Sequence, residues 1–435
     1  MRRVRIAIIG GGLAGATLAN ALTRNRRIEV QIYESAPDFS GQSGVIELSH
    51  LALQAMEGII PSAVEMLKAK VGASVMDEAH VVLGFGSDRG PIIRDLGVRG
   101  LVMDRPTLLR ELLSSLPRKA LHVNKKLKSL EQTASGPVKL TFEDGEVVKC
   151  DAVIGADGTF SRVRDYVLQD DAKKYAASPA GWSGCTVSVP FSKAKAALEE
   201  EGVEIDMNRE YQWMGIGLYV MYAPAADRTQ VQCVLVSVEQ NTPMDQKQPV
   251  VRGVLEDNIT AGWINHHAAQ AIIRLIKLCC QLMLKSDNLQ GYSHWEHKST
   301  PTYSNGRVCI IGDAAHTTNL WQGAGGGMAL EDAFILGSLL HNIKYTGNID
   351  AIFKAFDTVR RPRCQRIIDT SRETGELCRN HVGLNTEQIR DLLGPLSDHI
   401  GALDLEAHKM DAFHELRGNT LGEAYSPHTS LNLML

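Results

Sequence analysis

Residues 306–333 read GRVCIIGDAAHTTNLWQGAGGGMALEDA. An apolar run at 308–311 predicts a buried parallel strand, Asp313 falls on the turn after it, and the glycines at 323–327 open a helix that continues through ALEDAFILGSLL. The same grammar stands at the other end of the chain, where residues 6–22 read IAIIGGGLAGATLANAL. A strand over 4–9, a turn over 10–12, a helix over 13–23 and a strand over 30–33 make a βαβ unit at normal spacing. Two strand-turn-helix units 300 residues apart predict an α/β fold whose nucleotide-binding domain is discontinuous in sequence.

Between these ends, LVMDRPTLLRELLSSL (101–116) predicts a strand running into a helix with Pro106 in its first turn. KLTFEDGEVVKC predicts a hairpin on the Asp144-Gly145 turn, and DAVIGADG a further buried strand. From about 181 to 240 the text is β-rich and aromatic (TVSVPF, YQWMGIGLYVMYAP, QVQCVLVSVEQ), and after 345 it is helical and rich in arginine. The expected division is 1–180 as the first part of the cofactor domain, with a lid excursion over 75–100; 181–290 as a β-rich substrate domain; 291–345 as the second part of the cofactor domain; and 346–435 as a C-terminal helical region.

Composition excludes several classes. A chain of 435 residues exceeds one hydrophobic core, and a net charge of -4 lacks the basic surface that nucleic acid requires. Eight cysteines without CxxC or Cys/His spacing predict reduced thiols in a cytoplasmic protein and no metal site. The arginines at 2, 3 and 5 before an apolar run imitate a signal peptide, but cleavage there would remove the glycine turn. AIIRLIKLCCQLML (271–284) is too short to span a bilayer and carries Arg274 and Lys277, so it predicts an amphipathic helix, not a transmembrane segment.

Gly10, Gly12 and Gly15 follow a strand and open a helix, so backbone N–H groups and the positive helix end can meet a pyrophosphate. Glu34 ends the second strand, where a carboxylate accepts from a ribose hydroxyl and rejects a 2'-phosphate. These residues leave FAD and NAD open and disfavour bound NADP. With no second fingerprint, any nicotinamide coenzyme visits and leaves.

DAVIGADGTFSRVR (151–164) resembles the "DG" element of flavoprotein aromatic hydroxylases, and Gly312-Asp313 with the glycines behind it resembles their "GD" element. Arg105 in MDRPTLLRELL matches that family's flavin-contacting arginine, and Gly44 and Val45 in GQSGVIEL match a segment lining the flavin. Over nearly its whole length the chain resembles class A FAD-dependent monooxygenases, nearest the salicylate hydroxylase-like subgroup with its fungal secondary-metabolism members. The resemblance implies a Rossmann-like FAD-binding domain with an inserted β-sheet substrate domain. It implies FAD contacts by Gly10, Gly12, Gly15, Glu34, Gly44, Val45, Arg105, Asp157, Asp313, Gly325 and Gly326, with Asp313 on the ribityl chain. It further implies NADPH or NADH as co-substrate, addition of O2 at the flavin C4a position and transfer of one oxygen atom to a small organic substrate. His316, in the family's AAH sequence, is assigned a structural role.

The chain departs from its relatives in two places. The subgroup's substrate-activating arginine is replaced by Cys185 and Thr186, leaving Tyr219 and Tyr222 as the candidate catalytic groups. Asn319-Leu320-Trp321 stands where relatives carry a Pro-containing turn over the flavin, so Trp321 is expected near the isoalloxazine or pocket. The expected activity is therefore hydroxylation or epoxidation of a sizeable aromatic or polycyclic substrate. The alternatives are a flavin oxidoreductase of the same fold without oxygenation, or a non-catalytic FAD-binding protein.

Overall fold

The computed structural model describes residues 2–39, 44–76, 78–83, 92–95, 100–133, 136–200, 206, 209–215, 217–224, 228–239, 248–249, 290–343, 346–380 and 383–424. The expected helix over 271–284, with Cys279 and Cys280, lies outside the described residues.

Strands Val308–Ile310, Ala152–Gly155, Val4–Ile9 and Ile28–Tyr33 run parallel in that order, with Leu121–His122 and Ser304–Asn305 at the edges. Their apolar runs are buried because helices cover the sheet, as parallel sheets require. The distal strand pairs directly with Ala152–Gly155, so the two sequence halves close into one sheet. Helices Leu13–Thr23 and Gly325–His341 pack closely: a Cβ on Gly337 would stand 2.7 Å from Ala21 Cβ. The predicted hairpin forms with Gly145 at φ 89°, joining Val138–Phe142 to Val147–Cys150.

The second large sheet has eight strands, in the order Gln248–Pro249, Gln290–Glu296, Ser178–Pro190, Gln230–Val238, Leu218–Pro224, Arg209–Met214, Glu78–Leu83 and Ile92–Asp95. The last two come from the 75–100 excursion, which adds them to the sheet edge through a parallel pairing with Arg209–Met214. One boundary differs from expectation: Gln290–Glu296 pairs with Ser178–Pro190, so the sheet runs beyond residue 290. Helices Ile349–Arg379, Thr386–Gly401 and Leu405–Ala424 follow. Among the described residues no helix is long and apolar enough to cross a membrane.

Candidate active site

The N-terminal glycines divide into two jobs. A Cβ at Gly10 (φ 105°) would lie 2.2 Å from the Ala156 carbonyl oxygen, and one at Gly15 would lie 2.2 Å from the Gly10 oxygen, so both are required by packing. Gly12, at φ -74°, faces open space, with no atom within 4 Å of its Cβ position. It caps Leu13–Thr23 with no side-chain bond and no acidic residue in the first turn, so the helix N–H groups point at that space unanswered. Glu34 reaches the same turn: Oε2 accepts from Gly11 N at 2.8 Å and Oε1 from Ala36 N at 2.8 Å. Gly12→Ala should leave the thermal midpoint of the apoprotein unchanged while weakening FAD binding. Gly10→Ala should destabilise the fold itself, by at least about 1–2 kcal/mol from the backbone alone. Thermal melts with FAD titrations on both variants separate the two, and equal losses of stability would refute the division.

The distal motif folds onto this turn. Gly312 (φ 58°) brings its backbone against Leu13–Thr23, where a Cβ would stand 2.8 Å from Ala14 Cβ. From Ile310 to Thr317 only Asp313 is exposed, so its carboxylate alone is presented outward. Helix Gly325–His341 starts without a side-chain cap or an acidic first turn, and a Cβ on Gly326 would sit 3.1 Å from Ile46 Cδ1 and 3.7 Å from Leu13 Cδ2. Pairing of Val45–Ser49 with Gly100–Asp104 completes the ring, with Arg105 N donating to Gly44 O at 2.9 Å. The glycine turn with Glu34, the Gly312-Asp313 turn, the start of Gly325–His341 and the Gly44–Val45 segment are thus brought side by side, Gly312 against Ala14 and Gly326 against Leu13 and Ile46. Two uncapped helix ends, an outward carboxylate and glycine-lined backbone fit a dinucleotide with a ribityl chain, which is FAD.

Asp157 lies beside this ring but turns inward. Its Oδ2 accepts from Arg162 N at 2.8 Å and its Oδ1 from the Ser161 hydroxyl, so it caps helix Arg162–Leu168. Both carboxylate oxygens thus hold the start of this helix, whose N-cap is Ser161. Arg164 is buried and donates to Ala314 O (3.1 Å), Ala315 O (3.0 Å), Tyr175 O and the Thr300 hydroxyl, riveting this element to the distal turn. His297 secures the far side: its Nδ1 accepts from Thr317 N at 3.2 Å, which requires an uncharged ring. Burial, aided by the charges of Arg164 and His316, pushes its pKa down to about 2.

Beneath the turn is a buried charge network that the sequence reading missed. Asp332 accepts from Gly312 N (3.0 Å), His316 Nε2 (2.6 Å) and Arg360 Nε (2.9 Å), and Arg360 also pairs with Glu331 at 2.7 Å. His316 is thereby structural in geometry, bonded to Asp332 instead of facing the open space. Its signal was available: Glu331-Asp332 interrupt an otherwise apolar helix. His316, Asp332 and Cys364 offer donor atoms within 4.8 Å of one another, yet the Arg360 guanidinium already bonds both Asp332 and Cys364 Sγ (3.6 Å). A cation is in place.

Alternation along the strands of the eight-stranded sheet gives it two faces. Trp182, Met214, Tyr219, Val234 and Val236 share one face and pack with Leu320, Trp321 and Cys378. Thr186, Gln232 and Tyr292 share it too by register, with the Thr186 and Tyr292 hydroxyls 3.1 Å apart. Tyr222 projects from the opposite face, fully buried and stacked on Tyr211 with centroids 5.1 Å apart. This corrects the pairing of Tyr219 with Tyr222: odd separation on one strand sends them to different faces. Burial also raises the Tyr222 pKa, against any role as phenolate. Tyr292, which the sequence reading overlooked inside the string QGYSHWE, supplies a hydroxyl on the correct face.

Trp321 does not stand open in the pocket. It wedges between Trp182 (4.8 Å) and Tyr219 (5.1 Å) on the sheet and Gly375 on the long helix, where a Cβ would come within 2.5 Å of its Nε1. No proline is needed to shape the turn: Asn319 adopts φ -66°, its Nδ2 donates to Glu296 Oε2 (3.2 Å) and its carbonyl accepts from Ser371 (3.2 Å). Gly375→Val should expel the indole, read as a red-shifted tryptophan emission; unchanged emission would contradict this packing.

Residues 3–371 match the model of a family described as FAD binding domain. The chain is 30% identical to 6-methylsalicylate 1-monooxygenase of Aspergillus terreus, covering 94% of this chain and 92% of that protein. It is 28% identical to a salicylate hydroxylase of Pseudomonas putida, covering 94% of each. Among solved structures, a salicylate hydroxylase substrate complex superposes with a TM-score of 0.76 at 23% identity, covering 94% of this chain and 98% of the other. CtdE in complex with FAD and a substrate gives 0.80 at 15% identity, covering 97% and 100%.

Proposed function

Because this chain belongs to the FAD binding domain family and is an FAD-dependent monooxygenase, we propose that it hydroxylates or epoxidises an aromatic or polycyclic substrate at the expense of NADPH or NADH. The observation that supports the reading is the packing of the glycine turn, the Gly312-Asp313 turn and the start of Gly325–His341 against one another, Gly312 against Ala14 and Gly326 against Leu13, with both helices starting uncapped. When bound, FAD supplies the redox chemistry, accepting a hydride and activating O2 for transfer of one oxygen atom.

The protein's part is to bind, orient and exclude water. We assign the pyrophosphate to the uncapped end of Leu13–Thr23, the adenosine ribose to Glu34 and the ribityl hydroxyls to Asp313. The second helix end, at Gly325 and Gly326, is assigned to the ring's pyrimidine edge, where its partial positive charge favours the electron-rich reduced state. Gly44, Val45 and Arg105 would hold the flavin from the neighbouring segment. Trp182, Tyr219, Trp321 and Val236 pack into a dry apolar cluster between the sheet and the long helix, which would exclude water from that side of the site. On the same sheet face the Thr186–Tyr292 hydroxyl pair would orient a polar substituent of the substrate. Burial raises the Tyr292 pKa, so it serves as a neutral hydrogen-bonding group at physiological pH.

The test is direct. The purified chain should carry a flavin spectrum, and some member of an aromatic library should accelerate NAD(P)H oxidation and yield a product labelled from isotopic O2. Peroxide release matching NAD(P)H consumption for every compound would favour an oxidase-like flavoprotein instead. Tyr292→Phe should then lower kcat/KM about two- to tenfold, since a lost neutral hydrogen bond is worth about 0.5–1.5 kcal/mol, while leaving the FAD spectrum unchanged.

A further inference from the structure

Gln232 belongs to the substrate sheet, yet it hydrogen-bonds the flavin-lining segment: its Oε1 accepts from Val45 N at 3.1 Å, across 187 residues of sequence. A backbone N–H can only donate, so the carboxamide orientation is fixed. Gly44, immediately before, has φ 128°, and the Gln232 amide lies 3.7 Å from its Cβ position. The segment is therefore held from one side by Arg105 N on Gly44 O and from the other by Gln232. Gln232 is half-buried, lies on the same sheet face as Val234 and Val236, and pairs in register with Ala223 and Ser188.

We propose that Gln232 is a positioning residue that clamps the Gly44–Val45 edge of the flavin cradle to the substrate sheet, setting the gap between oxidising ring and substrate wall. The inference rests on the FAD assignment made above. It predicts a chemical selectivity at this position: any side chain of the same reach that accepts a hydrogen bond holds the segment, and an isosteric apolar one does not.

The experiment compares wild-type holoenzyme with Gln232→Glu and Gln232→Leu, using FAD alone as the probe. Gln232→Leu should bind FAD about tenfold more weakly and shift the flavin absorbance bands. Gln232→Glu keeps an acceptor oxygen for Val45 N, so it should restore affinity to within about threefold. Its added negative charge lowers the flavin midpoint potential by proximity alone, so the discriminating readout is the rescue of affinity and absorbance bands by Gln232→Glu and not by Gln232→Leu, which a merely space-filling role would not produce. Wild-type affinity and spectrum in both variants would overturn the inference, as would equal damage in both. A wild-type chain that binds no FAD would instead refute the cofactor assignment itself, which keeps the two failures apart.

Discussion

Asp332→Asn is expected to cost about 3–5 kcal/mol of folding stability, the range for breaking a buried ion pair from one side. Asp332, His316 and Arg360 are all fully buried, so the amide would leave two cationic partners facing a neutral group away from water. The loss should be read as lower thermal and urea midpoints at neutral pH. Burial raises the Asp332 pKa, but the charges of His316 and Arg360 outweigh it and hold the carboxyl down at about 2. A depressed carboxylate contributes stability that is whole above its ordinary value of 3.8 and is lost as pH falls toward about 2. Wild type and variant should accordingly converge in acid. Melting with the wild type at pH 7 would contradict the network. Removing the Arg360 charge as well should cost less than the sum of the single changes, because the two residues share one interaction.

Asp313→Ala should weaken FAD binding by roughly 10–100-fold, as a carboxylate hydrogen bond to the ribityl chain contributes about 1.5–3 kcal/mol. Asp313 is exposed, so the variant should melt as the wild-type apoprotein does. His316→Ala should behave in the opposite way, lowering the melting temperature through Asp332 while the folded fraction binds FAD nearly as well. Equilibrium FAD titration at low temperature with apoprotein melts resolves the two effects. Equal FAD retention by both variants would defeat the ribityl assignment.

The cofactor site was legible because its parts are local. A glycine that must accept a positive φ, an aspartate after an apolar strand, and a helix that starts without a cap are each written within a few residues, as at Gly10 and at Gly312-Asp313. The substrate face was not legible in this way. Whether Tyr219, Tyr222 or Tyr292 looks toward the flavin depends on strand register and on which strands are neighbours, and pairings such as Gly184 with Tyr292 span more than a hundred residues. Asp157 shows the same limit from another side, since its motif does not say that its carboxylate holds the start of the next helix through Ser161 and Arg162.

Sequence alone determined the α/β class and a dinucleotide-binding turn, since backbone geometry at glycine turns and helix ends follows from short-range sterics; the choice of FAD over NAD came from the resemblance to flavoprotein hydroxylases. The tertiary structure alone decided that Trp321 fills the seam between sheet and long helix, that Asp332 and Arg360 lock the distal turn from below, and that Gln232 joins the two sheets' territories. Each of those contacts unites residues far apart in the chain, where burial and hydrogen bonding are settled by packing and not by local propensity.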